Sequence, residues 1–455
     1  MFNFIASIFS LIRVTPSMIR IFIVLLSSGV LSGRKERGKK LCIAFKKLGP
    51  SFIKLGQTLS VRPDLVGEEI ADSLTSLQDK IPPFPSDQAR VIIEKELGKP
   101  INKMFLEFSE EPVAAASIAQ VHKAITIDGH EVAVKILRPS IQKKFHRDIK
   151  LFYLIAKFLK TFKKFRRLRP KAVVDVFADS VKKELDLRME AAAASELKQN
   201  CKNDEGIYVP KVFWHLTSEK VLVTQWINGI PVNDREALVN AGHSLEKITA
   251  RLSRAFLNQS YRDGFFHADI HPGNLFVDAE GNIVPVDFGI MGRLDKQTKI
   301  YVAEILRGFL SGDYAHVAKI HFDAGYVPKH KSELDFMLAC RAIGEPIMGL
   351  PVAQISIARL LAMLFKVTED FEMETQPQLL LLQKTMVLIE GVGQKLYPEV
   401  NMWHQAEDWI KIWAKENIGA KAKMKDGIKE LALLLGDLPE RLKKIDKIID
   451  KLAEQ

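Results

Sequence analysis

The chain of 455 residues is long enough for one large domain or two to three ordinary ones, and a hydrophobic share of 47% supplies a sizeable core. A charged share of 27% excludes a polytopic membrane protein, and three scattered cysteines (Cys42, Cys201, Cys340) show no metal or redox spacing, which favours a reducing compartment. The net charge is +11 and unevenly placed: Lys135 to Lys171 holds fourteen Lys/Arg and one acid, Asp148.

At the N-terminus, the apolar runs Met1–Ile12 and Ile21–Leu31 are each too short to span ~30 Å of hydrocarbon. The first lacks the basic start of a signal peptide and Arg13 interrupts the pair, so 1–33 reads as membrane-proximal or core-packing helices. Residues 34–80 carry a helical pattern that Pro82, Pro83 and Pro85 end, and 86–97 read as a short helix broken by Gly98. From 104 to 138 the pattern turns to short alternating runs. Asp128-Gly129 marks a hairpin between 121–127 and 131–137. A basic amphipathic helix follows, with Phe145, Phe152 and Phe158 among its apolar residues, and then a helix over 171–199. Strands are expected at 208–215 and 220–227, with a turn at Asn228-Gly229. After 244 the chain reads as helical, apart from short strands at 275–277 and 283–286. The last 35 residues read as amphipathic helices.

The chemistry-bearing run is His267-Ala268-Asp269-Ile270-His271-Pro272-Gly273-Asn274, followed by Asp287-Phe288-Gly289. An Asp and an Asn five residues apart, then a second Asp, match a kinase catalytic loop, in which Asp269 faces the nucleophile and Asn274 and Asp287 hold Mg²⁺. Upstream, Val132-Ala133-Val134-Lys135 ends an alternating strand, so Lys135 is placed to reach the α/β-phosphates of a nucleotide. Such a lysine needs an acidic partner from a helix, and Glu184, Asp186 and Glu190 are the candidates. The stretch Val113, Ala114, Ala115, Ala116, Ser117, Ile118, Ala119, Gln120 stands where kinases place a glycine loop. By propensity alone it reads as helix. Adenine is expected to be read by backbone groups near Gln225 and Ile227. His267 and His271 lie in the catalytic loop, where such a His organises backbone rather than binding metal. No Ala-Pro-Glu follows Asp287-Phe288-Gly289, which argues against a peptide substrate. No flavin, haem or iron-triad motif supports redox chemistry. The basic stretch is accompanied by no nucleic-acid module, so an anionic membrane surface is the expected partner and nucleic acid is not.

Together these residues resemble the bacterial UbiB family of atypical kinase-like proteins, from about residue 18 to about 400. Lys54-Leu55-Gly56-Gln57 is similar to the family's KxGQ signature, 114–120 to its Ala-rich loop, and Glu184-Leu185-Asp186 to its ExD motif. The resemblance implies an α+β, bilobal protein-kinase-like fold with an N-terminal helical extension. The parts are a KxGQ extension (34–112), an N-lobe (113–229), a C-lobe (230–400) and C-terminal amphipathic helices (401–455). It implies that Lys54 and Gln57 fold over the active site toward Glu184 and Asp186, and that Glu190 pairs with Lys135. It further implies an ATPase, or a kinase of protein or small molecules, that uses ATP and Mg²⁺ in support of ubiquinone biosynthesis. A non-catalytic, nucleotide-gated lipid-binding scaffold is the alternative from another class. The implied partners are prenylated phenol or quinone lipid intermediates and ubiquinone-biosynthesis enzymes, with a homodimer left open. The implied location is the cytoplasmic face of the bacterial inner membrane. Many bacterial members end in hydrophobic transmembrane helices, whereas this sequence ends in Ala453-Glu454-Gln455. Attachment is therefore expected through 1–33 and the basic patch, or through a segment absent from this chain.

Overall fold

The computed structural model describes residues 34–60, 82–161, 170–348, 376–399 and 402–417, with parts of 66–77 and 367–373. The expected helices of 1–33 and 418–455, and the end of the basic stretch at 162–169, lie outside these. Within 34–80 the helical pattern is divided by its own punctuation. Gly49 takes φ +97° and Pro50 opens the next helix, giving α1 (Arg34–Leu48), α2 (Pro50–Ser60) and α3 (Glu68–Leu74). After the proline linker, α4 (Ser86–Leu97) closes on Gly98 at φ +68°, whose N–H donates to the Glu94 carbonyl.

The alternating segments form a sheet from β1 (Phe105–Phe108), β2 (Ala114–Ala115), β3 (Ala119–Thr126), β4 (Glu131–Leu137) and, after three helices, β5 (Val221–Gln225). The strand order is β1-β3-β4-β5, with β2 also paired to β3. Gly129, at φ +81°, closes the expected β3–β4 hairpin. The sheet starts earlier than residue 113, because β1 pairs antiparallel with β3. On β4, Val132, Val134 and Ile136 are fully buried and share a core with Ala89 and Ile93 of α4 and with Val221 and Val223 of β5. Alternation therefore sends Glu131, Ala133 and Lys135 to the other face. The strand expected at 208–215 is not formed. Pro210 has no N–H to give a ladder, and the segment makes one bridge, Val212 to Thr224, and a 3₁₀ turn at Trp214–Leu216.

The helices α5 (Ile141–Leu159), α6 (Pro170–Glu184) and α7 (Leu187–Asn200) precede β5. The single helix expected at 171–199 is thus two. Asp186 leaves helical geometry (φ −121°, ψ 95°) and its carboxylate accepts the Arg188 N–H as an N-cap. The apolar face of α5 is turned inward: Phe145 and Phe152 are buried, and Phe152 meets Phe52 of α2 at 5.0 Å and Phe177 of α6 at 5.5 Å, both edge to face. The basic amphipathic helix therefore spends most of its apolar stripe on its own core. Lys143, Arg147, Lys150 and Lys157 remain on the surface. Asp148, the one acid, is buried and accepts the Ser51 hydroxyl at 2.7 Å, fastening α5 to α2.

Beyond β5 come β6 (Ile230–Pro231), α8 (Arg235–Asn240), α9 (Leu245–Leu257), β7 (Phe265–His267), β8 (Leu275–Val277), β9 (Ile283–Pro285) and β10 (Met291–Arg293). Then follow α10 (Lys296–Ser311), α11 (Tyr314–Asp323), α12 (Glu333–Met348), α13 (Pro377–Leu396) and α14 (Met402–Asn417). The short strands form the sheets β6-β8-β9 and β10-β7. The chain divides into two units, one of residues 1–295 and 356–400, the other of 296–355 and 401–455. In the second unit, Glu304 of α10 is held by Arg307 at 2.7 Å and by His316 of α11 at 2.5 Å. Among the described residues, no helix is long and apolar enough to cross a membrane.

Gly56 sits where α2 presses on its neighbours. A Cβ there would lie 2.2 Å from Leu77 Cδ1 and 2.8 Å from the Phe45 ring. Gly56→Val is expected to cost about 1–3 kcal/mol through overpacking. Urea unfolding measures it, and a midpoint equal to wild type would refute the close packing.

Candidate active site

Lys135 arrives at the cleft by strand alternation, and three carboxylate oxygens meet it. Its Nζ donates to Glu190 Oε1 at 2.8 Å, to Glu190 Oε2 at 2.9 Å and to Asp287 Oδ1 at 2.9 Å. Glu190 lies one turn into α7, so the Asp186 cap that starts the helix also sets where Glu190 stands. Asp287 takes φ +61°, a left-handed conformation that is costly for a residue with a Cβ. It is held from both sides: the Val286 N–H donates to the Asn274 carbonyl at 2.8 Å, and the Gly289 N–H approaches Asp287 Oδ1 at 3.4 Å. A Cβ on Gly289 would lie 3.3 Å from that same oxygen.

One ammonium is shared by two acids, and the two respond in opposite directions. Burial pushes Glu190 up to about 7, against the pull of Lys135. Asp287 also feels burial, but Lys135 outweighs it and holds this carboxyl well below the usual range. Burial works against the Lys135 ammonium, yet Asp287 and Glu190 together raise it above an ordinary lysine. The exposures agree with this division, since the Glu190 side chain is 9% exposed and Asp287 is 47% exposed.

The catalytic loop is organised from behind. Asn274 Nδ2 donates to the Asp269 carbonyl and to Asp269 Oδ2, both at 3.1 Å. His267 is buried, takes the Asp269 N–H on Nδ1 at 3.3 Å and places Nε2 3.2 Å from the Val286 carbonyl. Burial lowers its pKa, so it is a neutral backbone organiser. His271 Nδ1 accepts the Gly273 N–H at 3.1 Å. Two supports had no local sequence signal. Gln259, in a π-helical turn at Asn258–Asp263, accepts the His267 N–H at 3.1 Å, and Thr385 of α13 rests its hydroxyl 3.5 Å from the Ala268 carbonyl.

The Ala-rich stretch is a braced hairpin rather than the helix its composition suggests. Val113 donates to the Val121 carbonyl, Ala114 and Ala115 pair with β3, and the Ala116 N–H closes on the Ala119 carbonyl at 2.8 Å. Arg138 clamps it, with Nε on the Ala116 carbonyl at 2.9 Å and its own N–H on the Ile118 carbonyl at 2.8 Å. Ser117 is buried, and its hydroxyl has no partner among the described residues. Gln120, expected among the nucleotide contacts, is otherwise engaged. It is opposite Ile136, on the sheet face away from Lys135, and its amide exchanges hydrogen bonds with the Phe84 backbone. The Gln225 side chain is likewise taken: its Oε1 accepts the Tyr208 hydroxyl at 2.6 Å, while its N–H bonds the Lys211 carbonyl. Ile227 follows, partly buried, just past the end of β5.

The KxGQ and ExD residues are only partly arranged as expected. Lys54 Nζ reaches Glu184 Oε2 at 2.8 Å, and both side chains are close to fully buried (11% and 8% exposed). Asp186 is instead gripped by Arg188, with two bonds of 2.8 Å, because it caps α7. Gln57 donates to the Leu77 carbonyl at 3.3 Å, which ties α2 to the segment after α3.

The donor set suits Mg²⁺. The Asn274 amide oxygen and the Asp287 carboxylate are hard oxygen ligands on segments joined by a backbone hydrogen bond. Among the described residues no group of three or more His, Cys, Asp or Glu stands ready for a metal. Asn274 and Asp287 would hold Mg²⁺, and Lys135 with the 114–119 backbone would hold the phosphates of ATP.

The chain matches the ABC1 atypical kinase-like domain over residues 76–321 and the UbiB helical domain over residues 340–401. It is 42% identical to the probable protein kinase UbiB of Marinobacter nauticus over 431 residues, which are 93% of this chain and 79% of that protein. The probable protein kinase UbiB of Azotobacter vinelandii is also 42% identical, over 395 residues, 86% of this chain and 74% of that one. Among solved structures, the Rv3197–erythromycin complex from Mycobacterium tuberculosis matches with a TM-score of 0.52 at 24% identity, covering 78% of this chain and 90% of that chain. That likeness shows a shared fold.

Glu190 binds its proton more tightly in the folded protein than in the unfolded chain. Its contribution to stability therefore falls as pH rises from about 4.5 to about 7, and is flat outside that window. The fall is on the order of 3 kcal/mol. Glu190→Gln should remove it, so wild type should lose stability relative to the variant across that range. Urea unfolding between pH 4.5 and 7.5 measures the difference, and parallel curves would show that Glu190 titrates as an ordinary carboxyl.

Proposed function

The chain belongs to the UbiB family of ABC1 atypical kinase-like proteins, and from that footing we propose a Mg²⁺-dependent ATPase acting at a membrane surface in support of ubiquinone biosynthesis. In this reading it makes prenylated phenolic intermediates accessible to soluble enzymes at the cytoplasmic face of the bacterial inner membrane. The observation that carries the enzymatic part is the single ammonium of Lys135 bridging Glu190 and Asp287, beside an Asp269 fastened by Asn274. A nucleotide-gated scaffold would share Lys135 and Asp287 for binding ATP, but it has no need of an Asp269 oriented by Asn274.

Mg²⁺–ATP, when bound, supplies the transferable phosphoryl group and a counter-charge to it. The protein's part is positioning and electrostatics. Lys135, fixed in one rotamer by Glu190, presents a permanent positive charge to the phosphates. Asp287, ionised throughout the physiological range, and the Asn274 amide offer oxygen ligands. Asn274 Nδ2 orients the Asp269 carboxylate, which accepts a hydrogen bond from the attacking water or phenolic hydroxyl and receives its proton.

The relatives' name carries a second reading, transfer to a protein. The sequence after Asp287 does not favour it: β10 ends at Arg293 and α10 begins at Lys296, which leaves no extended segment on which to seat a peptide.

The buried Lys54–Glu184 pair holds α2 of the extension against the end of α6. Removing one partner of a buried pair strands the other charge, so the contact behaves as a latch. The four surface cations of α5 are offered to anionic lipid.

Purified protein is expected to hydrolyse ATP only with Mg²⁺, faster on anionic than on neutral liposomes, and Asp287→Asn should abolish turnover. ATP binding without hydrolysis under every condition would replace this reading with a nucleotide-gated scaffold. Lys54→Ala should raise basal turnover in solution and shrink the liposome effect. Unchanged rates in both settings would refute the latch.

A further inference from the structure

We propose that Lys384, on α13 of the UbiB helical domain, is a catalytic cation of the Asp269 site and contacts the phosphoryl group during its transfer. This rests on the phosphoryl-transfer reading above and deepens it, because it makes the helical domain a contributor to the active site. The match to the kinase-like domain ends at residue 321, while α13 falls inside the 340–401 helical match. No motif of the catalytic loop points to it.

The placement of α13 is specific. Thr385, fully buried, donates to the Leu381 carbonyl at 2.8 Å and rests its hydroxyl 3.5 Å from the Ala268 carbonyl, directly before Asp269. One residue further along, Met386 Sδ accepts the Tyr261 hydroxyl at 3.7 Å, in the π-helical turn whose Gln259 holds His267. The helix is thus seated on the catalytic loop and on that loop's own support. Leu382, Thr385 and Ile389 lie on its buried face, and Lys384, partly buried, directly precedes Thr385 and projects about 100° round the helix from it.

The other two lysines, Lys54 and Lys135, are committed. Lys54 pairs with Glu184, and Lys135 with Glu190 and Asp287. Among the described residues, no carboxylate oxygen lies within 4.0 Å of the Lys384 ammonium. Burial lowers its pKa, with Asp269 pulling it up and Lys54 pushing it down, so it feels both residues. A half-buried cation without an ion pair is unfavourable in a fold and useful in a site that handles anions. In the transfer, the attacking oxygen bonds the terminal phosphorus as the bridging P–O bond breaks. The attacking proton passes to Asp269, and ADP departs. Lys384 keeps its proton and faces the charge that spreads over the equatorial oxygens.

The test uses the full chain carrying Lys384→Met, Lys384→Gln as a second neutral variant, and Lys384→Arg. The neutral variants should lose ~10²–10³-fold in kcat, the scale of one preorganised charge donor. Their Mg²⁺–ADP affinity should match wild type, their melting temperature should equal or exceed it, and arginine should restore most of the rate. Neutral variants that keep wild-type kcat, or that lose ADP affinity and melting temperature in step with rate, would overturn the assignment. If wild type itself turns over no ATP, the phosphoryl-transfer reading fails on its own. The preference for ATP over ADP then decides: its loss in the neutral variants sustains a terminal-phosphate contact, and its persistence refutes one.

Discussion

One ammonium shared by two carboxylates is the constraint on which the rest of the site depends. Lys135 reaches the cleft because β4 alternates, Glu190 because Asp186 starts a new helix, and Asp287 because its backbone turns left-handed. None of the three elements is a sequence neighbour of another. The charge arithmetic does not close between the first two alone. The second acid, Asp287, raises the proton affinity of Glu190 and is itself held ionised by Lys135. A cleft so built is half-compensated, with the exposed acid facing solvent and the buried acid near neutrality.

The same economy runs through the surrounding fold. The extension is not an appendage, since Phe52 of α2 packs on Phe152 of α5, which packs on Phe177 of α6. Burying such side chains contributes about 1.5–3 kcal/mol each, so α2 is held by apolar contact before its lysine makes an ion pair. Lys54 then selects where that helix rests by meeting Glu184. The split of 171–199 into two helices matters here. Glu184 ends one helix and Glu190 begins the next, so the two acids serve different lysines.

Legibility differed by range. The β3–β4 hairpin, the α4 boundaries and the short strands around Gly281 were readable, because alternation, turn glycines and capping act within a few residues. The grouping of Asp269, Asn274 and Asp287 was readable from spacing. The break at Leu185-Asp186 was hidden by the helix-forming Ala191–Ala194, and the failed strand at 208–215 by valines and aromatics flanking Pro210. Gln120 looked like a loop residue beside phosphates. Which face of β3 it takes follows only from its register against Ile136.

By itself the sequence determined the family, the α+β class and the grouping of Asp269, Asn274 and Asp287, since these depend on residue types at short, fixed spacings. Tertiary structure alone decided which partner each group takes. Lys54 took Glu184, Lys135 took both Glu190 and Asp287, the apolar face of α5 turned into the core, and a helix more than a hundred residues away came to rest on the catalytic loop. Those choices are contests between distant side chains for the same charge or the same apolar surface. Local propensity does not enter them, because the outcome is set by burial and distance once the chain has packed.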